Sequence, residues 1–165
     1  MDQHPLGPIG RFPCFLHTPS VRVVAQNRRA RFDFDIQDTV EAGLLLTGAE
    51  AKSCREGHVN LSGSYVSFQS GKPILKNASI ARYRFAANMP HEEHRDRPLL
   101  LKGNQIRKLQ TKAEEKGVAV VPLEVRVGKF VKVLLGIGRG RRKIDKRQRI
   151  KEREVERKLK SGQEY

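Results

Sequence analysis

Residues 118–137 read VAVVPLEVRVGKFVKVLLGI, two apolar-rich runs on either side of Gly128. Both runs are rich in valine, a β-branched residue that packs well on a pleated sheet. The pattern predicts two strands, Val118–Val127 and Lys129–Ile137, joined tightly through Gly128. This pair favours an antiparallel sheet as the centre of the fold.

Segments upstream supply further strands for that sheet. In Ala30–Ile36 apolar and charged residues alternate strictly, as in a strand with one buried face. Ser70-Gly71-Lys72 separates two β-favouring segments and predicts a hairpin. The other predicted strands are Thr39–Leu46, Tyr65–Gln69, Pro73–Ala78 and Ile80–Phe85. The fold predicted is mainly β with α, a small antiparallel barrel of about six strands with two to three short helices.

Two helices are predicted between these strands. Thr47-Gly48-Ala49-Glu50 reads as a capping box that opens a helix through Glu56, and Gly57 ends it in a left-handed conformation. The second helix runs from about Asn104 to Lys116 after three leucines, with Gly117 closing it. Its apolar face consists of Ile106, Leu109 and Ala113. The charged residues 86–97 read as a loop.

Composition excludes several classes of protein. The 165 residues carry 33 Lys and Arg against 18 Asp and Glu, a net charge of +15. No apolar run approaches the roughly 18 residues of a spanning helix, so we expect no membrane association. Cys14 and Cys54 match no disulfide or zinc spacing and suit a reducing cytosol. An anionic partner, above all nucleic acid, fits this charge best.

The positive charge is distributed unevenly along the chain. Residues 139–165 hold 12 basic and 5 acidic side chains, a net +7, and the rest of the chain has a net +8. Acid-before-base pairs four residues apart, such as Asp145 and Arg149, make this tail helix-capable but marginal alone. We therefore predict a Pro-rich flexible extension at 1–22, an RNA-binding barrel at 23–138 and a basic tail at 139–165.

Several motifs in order resemble the SmpB family, whose members partner tmRNA in bacterial ribosome rescue. The opening Asn27-Arg28-Arg29-Ala30-Arg31 and Val40-Glu41-Ala42-Gly43 are similar to the family's first two motifs. Thr47–Ser53 with its continuation to Tyr65 resembles the longest one. Leu99-Leu100-Leu101 before a basic helix, Asp145-Lys146-Arg147 and Ile150–Glu154 complete the series.

The resemblance implies an oligonucleotide-binding (OB-like) barrel that binds the tRNA-like domain of tmRNA. It implies a cytoplasmic, non-enzymatic adaptor without a cofactor, monomeric, whose partners are tmRNA, the stalled ribosome and the elongation factor that delivers aminoacyl-tmRNA. Another ribosome- or RNA-binding translation factor on a similar barrel is the alternative. The tmRNA-binding residues implied are Asn27, Arg28, Arg29, Arg31, Glu41, Leu100 and Lys102.

The family's tail enters the decoding centre and mRNA path and becomes helical there. The ribosome-binding residues implied for this chain are Arg139, Gly140, Arg141, Arg142, Lys143, Ile144, Asp145, Lys146, Arg147, Lys151 and Arg153, with Gly140 as the hinge. Ile144 stands where the family often has a His or an aromatic residue. Apolar contact replaces base stacking as the expected role of that position.

Some of these residues have simpler interpretations. Glu41 either contacts RNA or pairs with a neighbouring Arg, Asn27 could satisfy its own turn, and Leu100 by default belongs to the core. His91-Glu92-Glu93-His94 could suggest a metal site, but its spacing is not that of zinc proteases and it lies in a predicted loop. An RNA-processing enzyme is the least supported reading, since no phosphate-binding loop or nucleophile motif is present.

Overall fold

The computed structural model describes residues 21–69, 71–86 and 90–141, and residues 150–152, 154, 155 and 157 of the tail. The elements, in chain order, are β1 (Arg22–Gln26), α1 (Arg28–Asp33), β2 (Phe34–Leu44), α2 (Gly48–Glu56), β3 (Val59–Asn60), β4 (Tyr65–Gln69), β5 (Lys72–Lys76), β6 (Ser79–Ile80), β7 (Arg97–Leu100), α3 (Gly103–Glu114), β8 (Val118–Val127) and β9 (Val131–Gly140).

Seven strands form one antiparallel sheet in the order β1-β8-β9-β2-β7-β5-β4, and β3 pairs with β6 apart from it. The sheet curls, because β4 near one end also packs against β8 near the other. This confirms the predicted OB-like antiparallel barrel with short helices. The described strands number nine rather than about six, because β1, β3 and β7 were not predicted. Of these, β3 and β7 are only two and four residues long, too short to show alternation.

The concave face of the sheet holds the main core. Its buried side chains come from seven strands and from the helices α2 and α3. Burial of their apolar surface stabilises the fold by about 25 cal/mol per Å². These side chains include Ala42, Cys54, Leu75, Leu99, Leu109, Val133, Leu135 and Ile137. Burial raises the pKa of the Cys54 thiol to about 12, which fits its role as a small core residue.

The long strands β2, β9 and β8 lie side by side and form the central part of the barrel. The predicted strand Val118–Val127 is confirmed at both ends. Pro122, which has no N–H to donate, lies at an irregularity in the β8–β9 register, where a proline is tolerated within a sheet. At Gly138 of β9, an added Cβ would lie 2.4 Å from the carbonyl oxygen of Asp35, so only glycine lets β2 approach this closely.

The prediction of a strand over Ala30–Ile36 is wrong for its first half, because residues 28–33 form α1. The side-chain oxygen of Asn27 accepts from the Ala30 N–H at 3.0 Å and starts the helix. Ala30 and Phe34, four residues apart, then both pack on a small cluster with Val121 and Leu123 on the convex side of the sheet. The true strand β2 starts at Phe34 and ends at Leu44, two residues before the end of the predicted strand Thr39–Leu46.

The predicted capping box at Thr47 and Glu50 and the left-handed Gly57, with φ +88°, are confirmed around α2. The hairpin of β4 and β5 is confirmed as well. The helix α3 is confirmed, but it ends at Glu114 with Glu115 as its C-cap, and not at Lys116 before Gly117. A strand over Ile80–Phe85 is wrong beyond Ile80. Residues 83–86 instead form a turn, in which the Ala86 N–H donates to the Tyr83 carbonyl.

The described tail residues between 150 and 157 are helical, and each of them is exposed. No helix within the described part of the chain is long and apolar enough to cross a membrane.

Candidate nucleic-acid interface

A row of exposed and half-buried residues crosses five strands on the convex face of the barrel. Its members are cross-strand partners, Leu100 with Gly43, Gly43 with Lys132, Lys132 with Arg126 and Arg126 with Val23. Directly opposite residues of antiparallel strands project from the same face. We call these five residues the exposed row. It combines two cations with exposed apolar side chains, a surface suited to an anionic partner that also has flat apolar parts.

Glu41 lies beside the exposed row and is paired with its cations. Its Oε2 accepts from Lys132 Nζ at 2.7 Å, and its Oε1 lies 3.7 Å from Arg126. Arg126 also donates to Glu124 at 2.6 Å. This geometry agrees with the ion-pair interpretation of Glu41, with Lys132 as an additional partner. Contact between Glu41 and RNA stays a prediction.

Asn27 is buried and holds α1 against the sheet. Its Nδ2 donates to the Leu61 carbonyl at 2.8 Å and to the Pro122 carbonyl at 3.1 Å, while its oxygen caps α1. These bonds use the donors and the acceptor of the amide. They favour a positioning role for Asn27, and its predicted contact with RNA would have to compete with all three.

The three predicted arginines of this region lie on α1. Arg28, Arg29 and Arg31 are exposed. Arg29 pairs loosely with Asp33 at 3.4 Å, and Arg31 lies 3.9 Å from Glu124, which joins α1 to the charges around the exposed row. The buried Glu124 therefore connects Arg31 to Arg126 of the exposed row, the row that includes Leu100 and lies beside Glu41.

Leu100 does not belong to the core, because its side chain is 59% exposed. The pleat explains this, since Leu99 points inward and is buried while its neighbour must face outward. Lys102 is exposed immediately before α3. A run of three leucines hid this alternation from sequence analysis.

Phe130 was missed by sequence analysis and is 66% exposed. Sequence analysis placed it in a strand, but β9 begins at Val131 and Phe130 lies in the turn after β8. With Leu100, Leu45, Gly43, Arg55, Lys129 and Lys132 it lines a cleft of about 350 Å³, which we call the Phe130 cleft. The signal available was an aromatic residue beside two lysines next to Gly128.

A buried ion-pair cluster fixes β7, and with it Leu100. Arg97 is fully buried and donates from Nε to Glu50 at 3.0 Å, from Nη1 to the Ala78 carbonyl at 2.6 Å and from Nη2 to the Glu93 carbonyl at 2.9 Å. Arg95 donates to the same carboxylate at 2.5 and 2.8 Å. Burial alone would raise the pKa of Glu50, but these arginines and the Thr47 N–H hold it at about 2.

A second basic and aromatic surface lies at the start of α2. The rings of Tyr83 and Phe85 meet edge to face at 5.5 Å, with Lys52 5.4 Å from the first ring and Arg84 4.6 Å from the second. Phe85 is 72% exposed. Sequence analysis assigned these rings to a strand, so their clustering in a turn was not predictable from alternation.

The root of the tail is attached to α1. Gly140, the predicted hinge, is the last residue of β9, and Arg141 follows it. The Arg141 guanidinium donates to the carbonyls of Arg31 and Phe32 at 3.3 and 3.0 Å and to Asp35 at 3.1 Å. Arg139 remains exposed, 3.9 Å from Glu115. Ordered pairing thus extends beyond the predicted barrel end at 138.

Most of the predicted ribosome-binding residues fall outside the described residues. They are Arg142, Lys143, Ile144, Asp145, Lys146, Arg147 and Arg153. Lys151 is described, helical and exposed.

The candidate metal motif is engaged in other contacts. His91 Nε2–H donates to the Ile80 carbonyl at 2.8 Å, and Glu93 accepts from the Ser79 hydroxyl. Within residues 21–69, 71–86 and 90–141, no three His, Cys, Asp or Glu side chains gather in a metal-binding arrangement.

Comparisons with known proteins show which proteins the chain is similar to. The profile of the family described as SmpB protein matches residues 24–164. An SsrA-binding protein of Exiguobacterium sibiricum is 40% identical over 151 residues, covering 88% of this chain and 97% of the relative. One from Anaeromyxobacter dehalogenans is 46% identical over 139 residues, 84% of this chain and 85% of its own. A solved structure described as "tmRNA-SmpB: a journey to the center of the bacterial ribosome" aligns with a TM-score of 0.63 and 39% identity, covering 78% of this chain and 94% of that one.

Proposed function

The chain belongs to the SmpB family, and on this premise we propose that it is the RNA-binding adaptor of trans-translation, joining tmRNA to stalled ribosomes. The exposed row and the cations of α1 bind the tRNA-like domain of tmRNA. The basic tail enters the vacant decoding centre and mRNA path. The protein acts without catalysis or a cofactor, as a monomer in the cytoplasm, and its complex with tmRNA is delivered by an elongation factor.

The observation that carries the proposal is the continuity of the exposed row with α1. Folded RNA is read mostly through shape, sugar and phosphate contacts, with stacking on bases that are unstacked. A convex sheet face that sets Leu100 beside Lys132 and Arg126, and continues through Glu124 to Arg31, offers both kinds of contact. Glu41 and Glu124 partly neutralise these cations and so reduce purely electrostatic attraction. This favours an RNA recognised by its folded shape over a generic polyanion.

The test is a binding competition. The full chain is titrated with labelled tmRNA at about 150 mM salt, against transfer RNA and an unstructured RNA of equal length, because counterion release alone does not distinguish sequences. We expect tmRNA to bind far more tightly than either competitor. Equal affinity for the three RNAs would contradict the proposal and favour another RNA-binding translation factor.

A further inference from the structure

The Phe130 cleft has the composition of a stacking site. Three apolar side chains that line it, Leu45, Leu100 and Phe130, are 53%, 59% and 66% exposed. Clusters of exposed large apolar side chains on a soluble protein mark binding sites. Because these three side chains line one cleft, a single bound ligand would explain the exposure of all three.

The charges around the cleft identify the kind of ligand. Arg55, Lys129 and Lys132 line it, and the only carboxylate bonded to these three in the described contacts is Glu41, which pairs with Lys132 from outside the lining. The Lys129 ammonium lies 5.7 Å from the centre of the Phe130 ring, so a cation already accompanies the aromatic face. A ligand with a flat apolar part and a negative charge close to it matches this arrangement. An unstacked nucleotide has both.

The floor of the cleft is open because Gly43 has no side chain. A Cβ at Gly43 would lie 3.2 Å from the Leu100 Cβ and would crowd the Leu100 side chain. The volume, about 350 Å³, is within the range of small-molecule pockets.

We propose that the Phe130 cleft receives one unstacked base of the bound RNA, with the base stacked on Phe130 and the flanking phosphate on Lys132. This rests on the proposed function, since the RNA is the tmRNA held by the exposed row. Leu100 forms the opposite apolar wall. Phe130 is thus a positioning residue for the RNA, not predicted from the family motifs.

The test compares Phe130→Ala, Phe130→Leu and Phe130→Trp with wild type in the tmRNA titration, after far-UV circular dichroism has shown that each variant is folded. Stacking of a base on an aromatic residue predicts that Phe130→Ala binds about 5- to 150-fold more weakly. Phe130→Trp should keep the affinity, whereas Phe130→Leu, apolar but not aromatic, should lose it. Phe85→Ala is the matched control, because it removes an equally exposed ring from the other basic surface, and it should bind like wild type.

The salt dependence separates stacking from charge. Phe130→Ala should leave the slope of log K against log salt unchanged, while Lys132→Ala should reduce its magnitude by about one. Wild-type affinity of Phe130→Ala, or full rescue by Leu, would overturn the base-stacking inference, and rescue by Leu would indicate an apolar contact that needs no aromatic ring. If wild type does not prefer tmRNA, the proposed function fails and the inference fails with it. If wild type prefers tmRNA and Phe130→Ala does so equally, only the inference fails.

Discussion

Arg97 is the side chain that fixes the loop between β6 and β7. It is fully buried, and its donors reach Glu50, the Ala78 carbonyl and the Glu93 carbonyl. A buried charge is tolerated only when it is paired and hydrogen-bonded. Glu50 therefore has two structural functions, since the same carboxylate closes the capping box of α2 and neutralises Arg97.

Glu50 should make stability depend on pH at the acidic end. Its pKa is about 2 in the folded protein against an ordinary value of 4.5. A lowered pKa stabilises the fold fully above the ordinary value, and this contribution is lost as the pH falls from about 4.5 towards 2. At one unit of pKa for about 1.36 kcal/mol, the loss amounts to about 3 kcal/mol.

Urea unfolding followed by circular dichroism between neutral pH and pH about 3 measures the part of this loss that falls above pH 3, about 2 kcal/mol. Glu50→Gln should be destabilised at neutral pH by about 3–5 kcal/mol, because Arg97 is left unpaired, and its stability should fall less steeply in acid. Glu114→Gln, which alters an exposed carboxylate of α3, is the control and should keep the wild-type slope. An unchanged slope in Glu50→Gln would contradict the assignment.

For single residues, sequence analysis predicts interactions between neighbours in the chain but not ion pairs between residues far apart in it. Thr47, Glu50 and Gly57 follow from spacing within α2, because a capping box and a left-handed cap involve neighbours in sequence. The partners of Glu50 at 95 and 97 and of Glu41 at 126 and 132 lie far along the chain. No local pattern specifies such pairs, so Lys132, Arg126 and Phe130 were not predicted as site residues.

Among the elements, β9 is the most constrained, because β2 and β8 flank it along its length. Gly138 lies where β2 comes closest, and a Cβ there would lie 2.4 Å from the Asp35 oxygen and 2.9 Å from the Asp35 carbonyl carbon. Neither of these atoms can rotate away. The two strands would have to separate locally to admit any side chain.

Gly138→Ala should therefore destabilise the barrel by about 1–3 kcal/mol, the usual cost of overpacking. Gly140→Ala, two residues along the same strand, is the matched control, because its nearest neighbour would be the Phe34 ring at 4.0 Å. We expect Gly140→Ala to remain within about 0.5 kcal/mol of wild type. Thermal and urea unfolding of both variants measure the difference, and equal stabilities would contradict this view of the β2–β9 contact.

Elements were predictable where their pattern is long and regular. The strand at 118–127 and the helix around Leu109 follow from periodicity over ten or more residues. The six-residue α1 was not predictable, because its alternating sequence also fits a strand. The cap at Asn27 and the contact of Ala30 with Val121 and Leu123 stabilise the helix. The second contact is tertiary, so no local sequence pattern indicates it.

For the whole molecule, the barrel and the tail should separate functionally at Arg141. A chain ending after Arg141 keeps all of β9 and the bonds from Arg141 to α1. It should bind tmRNA like the full chain but fail to support tagging on stalled ribosomes, because the cations that would neutralise ribosomal RNA are removed.

Filter binding and a reconstituted tagging assay measure the two activities. A chain ending after Gly138 is the comparison, because it loses two residues of β9 and the Arg141 contacts as well. It should unfold at a lower urea concentration than the chain ending after Arg141. Loss of tmRNA binding in the Arg141-ended chain would show that the tail, and not the barrel, is the main binding element.

The strand order also determines when a newly synthesised chain can form the exposed row. β1 pairs with β8, with Arg22 opposite Val127, so β1 cannot complete its pairing until β8 has been synthesised. Such non-local pairing slows folding, because a long loop must close before its contacts form. The surface from Leu100 to Val23 exists only after β9 has been synthesised and inserted at its centre. A chain whose translation stops before β9 therefore lacks the strand that joins Gly43 to Arg126, and the exposed row stays incomplete.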